Sequence, residues 1–140
     1  MTYSKRALAL LAKGKATIAD TETEHAVQLR IKEALELAGC SVRETTAYRQ
    51  KGPSGIDKGI PDLLVFHPSL RGAYIGIEVK RPKNWRWSSP EQEAGFQAGE
   101  FAVATCELEA LQAVLTVLVR LNIDTERIQR TIRGFEPCRI

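Results

Sequence analysis

Two apolar segments joined by a short turn are the strongest constraint on the fold of this chain. Residues 59–66 (GIPDLLVF) and 73–81 (AYIGIEVKR) are rich in Val, Ile, Leu and aromatic side chains, a composition typical of β-strands. Residues 67–72 (HPSLRG) separate them and contain the Pro and Gly typical of turns. We therefore predict a β-hairpin here, and a fold built around a β-sheet.

The residues before the hairpin predict a helix and another strand. Val27, Ile31 and Leu35 recur at helical spacing, and the pattern ends at Gly39, the residue type favoured just after a helix C-terminus. Residues 41–50 (SVRETTAYRQ) are typical of a partly exposed strand.

The residues after the hairpin predict two helices and a strand between them. Residues 88–92 (SSPEQ) place Ser at a helix cap and Pro just inside the helix. Residues 100–106 (EFAVATC) are apolar on both faces, which indicates a strand in the interior of the sheet. Residues 107–121 carry an apolar stripe that is wider than a helix at the protein surface needs to contact the core. We therefore expect this helix to be buried on more than one side.

Charge and cysteine content limit the classes of partner and compartment. The 140 residues include 20 Lys and Arg against 17 Asp and Glu, a net charge of +3 that permits a polyanionic partner without demanding one. The apolar run at residues 7–12 is too short for an export signal or a membrane span. Cys40, Cys106 and Cys138 are odd in number and widely spaced, which argues against a disulfide framework and favours inert or free thiols. We therefore expect a cytoplasmic protein without membrane contact.

Charged residues in the hairpin point to a metal site. Glu78 and Lys80 are two residues apart and lie on the same strand face. A hairpin centred near Leu70 brings Asp62 opposite Glu78, where like charges repel unless a cation lies between them. Carboxylate oxygens without nitrogen or sulfur nearby favour Mg²⁺ or Mn²⁺. Lys80 is then placed to orient or deprotonate an attacking water, or to neutralise charge on a phosphate.

Simpler interpretations exist for each of these residues. Glu78 and Lys80 also fit an exposed strand pair, with Asp62 capping a turn. Glu24 precedes the apolar positions of the first helix at helical spacing, so it can add a third acid, but it also fits a capping box with Thr21. Gln28, one turn later, fits either a hydrogen bond that supports the site or a surface position.

The ordered set of these motifs resembles a known nuclease family. Over about residues 23–121, the chain is similar to the VRR-NUC branch of the PD-(D/E)xK nuclease superfamily, through Glu24, GIPD (59–62), IEVK (77–80) and SSPEQ (88–92). The resemblance implies an α/β fold with a restriction-endonuclease-like core, in which a mixed sheet lies between helices. It also implies metal-dependent cleavage of DNA phosphodiester bonds by a homodimer that acts on branched DNA such as four-way junctions. Residues 1–22 and 122–140 are then basic extensions, the second packing on the same domain.

The resemblance also assigns roles to individual groups of this chain. These are Asp62 and Glu78 as metal ligands, the backbone carbonyl of Val79 as a further ligand, Glu24 as the helix acid and candidate ligand, Lys80 as the catalytic lysine, and Gln92 as the glutamine that helps hold the site.

Basic residues interleaved with tryptophan predict the DNA-binding surface. Cations in such a loop contact phosphates, while an indole stacks on an exposed base or inserts at a branch point; alternatively, the indoles pack against the domain. A glycine-rich loop with two lysines is a second candidate, because glycine lets backbone approach a phosphate closely. The candidate DNA-binding residues are Lys51, Lys58, Arg81, Lys83, Trp85, Arg86 and Trp87.

These observations and the family resemblance together predict a metal-dependent DNA endonuclease, and the resemblance implies that it is selective for DNA structure. The wide apolar stripe at residues 107–121 suggests a homodimer interface, which would set two active sites against opposing strands. The main alternative is a non-catalytic DNA-binding or assembly module that keeps the nuclease fold. A small α/β domain with a protein partner is a further alternative.

Overall fold

A mixed four-stranded sheet flanked by helices forms the centre of the protein. The computed structural model describes residues 23–45 and 59–135. The predicted α/β class with a mixed sheet is confirmed, and the architecture is compatible with a restriction-endonuclease-like core. The elements are α1 (Glu24–Leu37), β1 (Ser41–Glu44), β2 (Leu63–Phe66), β3 (Tyr74–Val79), α2 (Pro90–Gln97), β4 (Phe101–Ala104), α3 (Glu107–Arg120) and α4 (Glu126–Arg133).

The predicted hairpin is formed by β2 and β3. The strands pair antiparallel with Leu63 opposite Ile77, and a short 3₁₀ helix at Pro68–Leu70 connects them. Continued by one residue, this register brings Asp62 beside Glu78, as the hairpin centred near Leu70 predicts. β1 pairs antiparallel with the other side of β2.

β4 corrects one expectation. It pairs parallel with β3 and lies at the outer edge of the described sheet, in the order β1-β2-β3-β4, whereas its apolar sequence predicted an interior strand. Phe101 and Ala104 are nevertheless buried. α2 and α3 both pack against β4, so these two side chains are buried without a second neighbouring strand.

Side-chain caps account for the starts of α1 and α2. The Ser89 hydroxyl accepts a hydrogen bond of 3.2 Å from the Gln92 N–H, and Pro90 occupies the first turn of α2, as predicted. α1 is capped by Thr23, whose hydroxyl accepts from the Ala26 N–H at 3.1 Å. The alternative cap, Thr21, lies outside the described residues, as does the expected extension at residues 1–22.

The hydrophobic core lies on one face of the sheet, between the sheet and three helices. Leu63, Ile77 and Val79 from the strands are fully buried against α1, α3 and α4. α3 packs against α1, β4 and α4, which cover part of its wide apolar surface, while Val119 and Leu121 near its C-terminal end are 55% and 56% exposed. The buried part of the stripe that suggested a subunit interface therefore has an intrachain explanation, and the homodimer stays a prediction. From the extension at residues 122–140, Ile128 of α4 joins the core.

One described cysteine agrees with the expectation of inert or free thiols and one does not. Cys106 is disulfide-bonded, and Cys40 is a free, buried thiol. Because Cys106 forms a disulfide, the cysteine content no longer supports the expectation of a cytoplasmic protein. Within residues 23–45 and 59–135, the helices are all too short or too polar to cross a membrane.

Candidate functional site

The candidate site lies where β2 begins and β3 ends. Asp62 directly precedes β2, Glu78 is the next-to-last residue of β3, and Lys80 directly follows it. Their exposed fractions are only 4%, 2% and 2%, respectively. Ionisable side chains are seldom buried to this extent unless they are paired or bound. The antiparallel register and the strand alternation together bring these three groups to one end of the hairpin.

Three carboxylates converge at this end. Glu24, Asp62 and Glu78 each offer an oxygen atom, and these atoms lie within 4.8 Å of one another. Glu24 is exposed and is the first residue of α1, so the N-terminus of this helix points its acid at the strand ends. The donors are all hard oxygens, which fits Mg²⁺ or Mn²⁺ better than zinc.

Backbone hydrogen bonds fix the position of Asp62. Its Oδ2 accepts from the Val79 N–H at 2.9 Å. Its carbonyl oxygen accepts from the Thr45 N–H at 2.9 Å, and the Thr45 hydroxyl donates to the Pro61 carbonyl at 2.7 Å. Because the N–H and C=O of one strand residue point to the same side, the Val79 carbonyl also faces Asp62. This direction is compatible with its predicted role as a ligand.

Lys80 is held by neighbours from β3, from α2 and from the loop that precedes α2. Its Nζ lies 3.7 Å from Oε1 of Glu78 and donates to Oε1 of Gln92 at 2.9 Å and to Oγ of Ser88 at 3.4 Å. The same Gln92 oxygen accepts from the Ser88 N–H at 3.0 Å. Gln92 is only 5% exposed, so it is not a surface glutamine of the helix. The amide of α2 therefore fixes the lysine amine beside the acidic cluster.

Gln28 takes part in a neighbouring polar network. It is buried, and its Nε2 donates to Oε1 of Glu44 at 3.0 Å, while Lys32 lies 3.5 Å from the other oxygen of Glu44. The surface alternative for Gln28 is wrong. Its hydrogen bond goes to β1 and thereby ties α1 to the sheet, one turn after Glu24.

The two tryptophans of the basic loop differ in how closely they pack against the domain, and stacking on a base stays a prediction. Trp87 packs on Phe96 and Phe101, with ring centroids 5.2 Å and 6.4 Å away, respectively. Trp85 contacts Trp87 but remains 37% exposed. The Nζ of Lys80 lies 6.0 Å and 5.8 Å from the Trp85 and Trp87 centroids, respectively.

The predicted phosphate-binding residues fall into two groups. Arg81, Lys83 and Arg86 are exposed on the loop that follows Lys80. Lys51 and Lys58 lie outside the described residues.

Two supporting residues were missed at the sequence level. Thr45 lies in a segment predicted only as a strand, and a threonine near a strand end carries no signal for a contact with residues 61 and 62. Ser88 is part of the SSPEQ motif, but the motif predicts a helix start and not a lysine partner.

Comparison of this chain with family models, with curated proteins and with solved structures found no match. A functional assignment therefore depends on the geometry of the site.

Proposed function

We propose that this protein is a DNA endonuclease that hydrolyses phosphodiester bonds and depends on Mg²⁺ or Mn²⁺. The single observation that carries the proposal is the convergence of Glu24, Asp62 and Glu78 within 4.8 Å of one another, beside the amine of Lys80. A structural ion pair accounts for Glu78 and Lys80. It does not account for two further carboxylates at the same point.

The donor set suits the proposed metal. Glu24, Asp62 and Glu78 would hold the cation, with the Val79 carbonyl as a further ligand, and their negative charges repel one another without it. When bound, such a cation polarises a phosphoryl oxygen and lowers the pKa of bound water. This combination suits the hydrolysis of a phosphodiester.

Lys80 supplies the second part of the chemistry. Its Nζ is oriented by Gln92 and Ser88 at 2.9 Å and 3.4 Å, which leaves it little rotational freedom. A positive group fixed in a buried site stabilises charge that develops on a phosphate without having to reorganise. The same amine can orient the attacking water.

The surroundings support a polyanionic substrate. Arg81, Lys83 and Arg86 place exposed positive charge on the loop next to Lys80, and such residues bind phosphates in a salt-dependent way. Branched DNA as the preferred form, and a homodimer as the active species, are proposed from the resemblance to VRR-NUC proteins.

A cleavage assay tests the proposal. The protein would be incubated with plasmid, flap and four-way-junction DNA, with Mg²⁺, Mn²⁺ or EDTA. We expect metal-dependent cutting, and a loss of about hundredfold or more in Asp62→Ala, Glu78→Ala and Lys80→Ala. Glu93→Ala, at an exposed acid on α2, is the matched control and keeps full activity.

The outcomes separate the proposal from its alternative. Full activity in all three site variants would contradict it. Salt-dependent DNA binding without cleavage under any metal condition would favour the non-catalytic DNA-binding module.

A further inference from the structure

An aromatic cluster lies beside the candidate catalytic lysine. It consists of Trp85, Trp87, Phe96 and Phe101, whose neighbouring ring centroids are 5.0–6.4 Å apart. Phe96 comes from α2 and Phe101 from β4. The cluster therefore joins the basic loop to two elements of the fold.

The two tryptophans have different positions in this cluster. Trp87 is wedged against Phe96 and Phe101 and is only partly exposed. Trp85 meets Trp87 in a T-shaped contact with an interplanar angle of 84°. In a T-shaped pair, one ring presents an edge to the other, so at least one face of Trp85 is not covered by Trp87. Trp85 therefore packs against Trp87 and still has 37% of its surface exposed to solvent.

Trp85 also lies close to the proposed point of cleavage. Its ring centroid is 6.0 Å from Nζ of Lys80, which is itself 3.7 Å from Glu78. In a nucleic acid strand, each base is attached through its sugar to the neighbouring phosphate. A strand whose phosphate lies at Lys80 therefore brings an adjoining base to Trp85. Arg86, the next residue, adds an exposed cation for a flanking phosphate.

We propose that Trp85 stacks on an unpaired base of the nucleotide next to the scissile phosphate, so that DNA with unpaired nucleotides at the cleavage point is the substrate class. The inference rests on the proposed nuclease function. The bases of an intact duplex are already stacked on their neighbours, and an indole face reaches only a base that has left the helix. Because every base has a π-face, stacking of this kind tolerates any sequence. The preference would be for DNA structure and not for sequence.

Binding without cleavage tests the inference. Wild type, Trp85→Phe and Trp85→Ala would be titrated in EDTA against a labelled single-stranded oligonucleotide and against its duplex, with fluorescence anisotropy as the readout. Tyr74→Ala is the matched control, because Tyr74 is 55% exposed and stands at the opposite end of β3 from Lys80. A single-stranded oligonucleotide with abasic sites keeps the phosphates and removes the stacking partner, so it tests wild type directly even if Trp85→Ala does not fold.

We expect Trp85→Ala to weaken single-strand binding by about five- to hundredfold, with duplex binding unchanged. Trp85→Phe keeps most of the affinity, Tyr74→Ala keeps all of it, and abasic DNA binds wild type as weakly as normal DNA binds Trp85→Ala.

Other results overturn the inference. Equal losses on single strand and duplex, or an abasic oligonucleotide bound as tightly as the normal one, would exclude base stacking at Trp85 and leave the nuclease proposal intact. Tighter binding of the matched RNA would contradict DNA as the strand. Failure of wild type to bind any of these nucleic acids would count against the proposed function itself.

Discussion

The backbone N–H of Val79 donates a hydrogen bond of 2.9 Å to Oδ2 of Asp62. This bond connects the start of β2 to the end of β3, and the same carboxylate belongs to the acidic cluster with Glu24 and Glu78. Asp62 therefore has two opposite effects on the stability of the folded protein. As a hydrogen-bond acceptor it stabilises the hairpin, while as a third carboxylate in the cluster it adds like-charge repulsion.

Substitutions at Asp62 should separate the effect of its hydrogen bond from the effect of its charge. In Asp62→Asn, an amide oxygen still accepts from Val79 while the negative charge is removed, so stability in EDTA is kept or rises and metal affinity falls. In Asp62→Ala, the buried N–H loses its acceptor, which lowers the free energy of unfolding by about 1–3 kcal/mol. Chemical denaturation in EDTA and calorimetric metal titration measure the two effects.

Asp124 offers a matched control for Asp62. Its Oδ1 accepts from the Glu126 N–H at 3.0 Å at the exposed start of α4. Asp124→Asn should leave metal binding unchanged. Equal metal affinity in wild type and Asp62→Asn would contradict a ligand role for this carboxylate.

Repulsion within the acidic cluster also predicts stabilisation by metal. A cation that binds only the folded state at a hundred times its dissociation constant raises the free energy of unfolding by about 2.7 kcal/mol. We expect Mg²⁺ or Mn²⁺ to raise the melting temperature of wild type, and Glu24→Gln to reduce this rise. Glu36→Gln, at an exposed acid near the other end of α1, is the control. If metal raised the melting temperature of both variants equally, Glu24 would not be a metal ligand.

The hairpin register and the same-face pair of Glu78 and Lys80 could be predicted because both depend on local rules. Strand side chains alternate with a period of two, and the short turn limits how the two segments pair. Glu24 could be placed near the site only as one of two options, since helical spacing defines a helix face but not what the helix end approaches.

Residue spacing alone could not predict the surroundings of Lys80, because they depend on how α2 docks on the sheet, and Gln92 was assigned to the site only through the family resemblance. A Cβ atom at Gly95 would lie 2.9 Å from Cε1 of Phe101, so this close approach requires glycine. The docking brings Gln92 and Ser88 to the lysine. Only the assembled tertiary structure brings these residues together, and nothing in the spacing of SSPEQ specifies it. The disulfide at Cys106 was missed for a similar reason, since wide spacing in sequence does not limit distance in the fold.

Loss of Gln92 should release the lysine amine. In Gln92→Ala, Nζ of Lys80 and the Ser88 N–H lose their shared acceptor. We expect kcat to fall by about tenfold or more, with KM nearly unchanged, because Gln92 acts on the orientation of Lys80 and not on the substrate. Gln97→Ala, at an exposed glutamine of the same helix, keeps wild-type kinetics. A change in KM alone would instead indicate that Gln92 contacts DNA.

The glycine at position 76 should be required for the shape of the site. A Cβ atom there would lie 2.9 Å from Cγ of Pro61 and 3.0 Å from Cβ of Phe101. Gly76→Ala should therefore displace Pro61 and its neighbour Asp62, and lower the free energy of unfolding by about 1–3 kcal/mol. Gly134→Ala, where the nearest atom would be 3.4 Å away, is the control. Denaturant unfolding measures both, and equal stabilities for the two variants would contradict a tight contact at Gly76.

Cys40 gives the fold a specific pH dependence. Burial raises the pKa of its thiol from 9.0 to about 11, although the guanidinium of Arg127 opposes part of this rise. In the unfolded chain the thiol ionises near its ordinary pKa, while in the folded protein it stays protonated. The unfolded state therefore binds fewer protons between these two values, and stability falls as pH rises through this range.

Comparison with Cys40→Ala isolates this contribution, because the other groups that titrate at high pH are present in both proteins. The contribution is fully present below about pH 9 and is lost by about pH 11. We expect the difference in unfolding free energy between wild type and Cys40→Ala to fall by about 2 kcal/mol between about pH 8 and about pH 11. Urea denaturation at a series of pH values measures this difference. A difference that stays constant over the range would show that the Cys40 thiol ionises equally easily in the folded and unfolded chains.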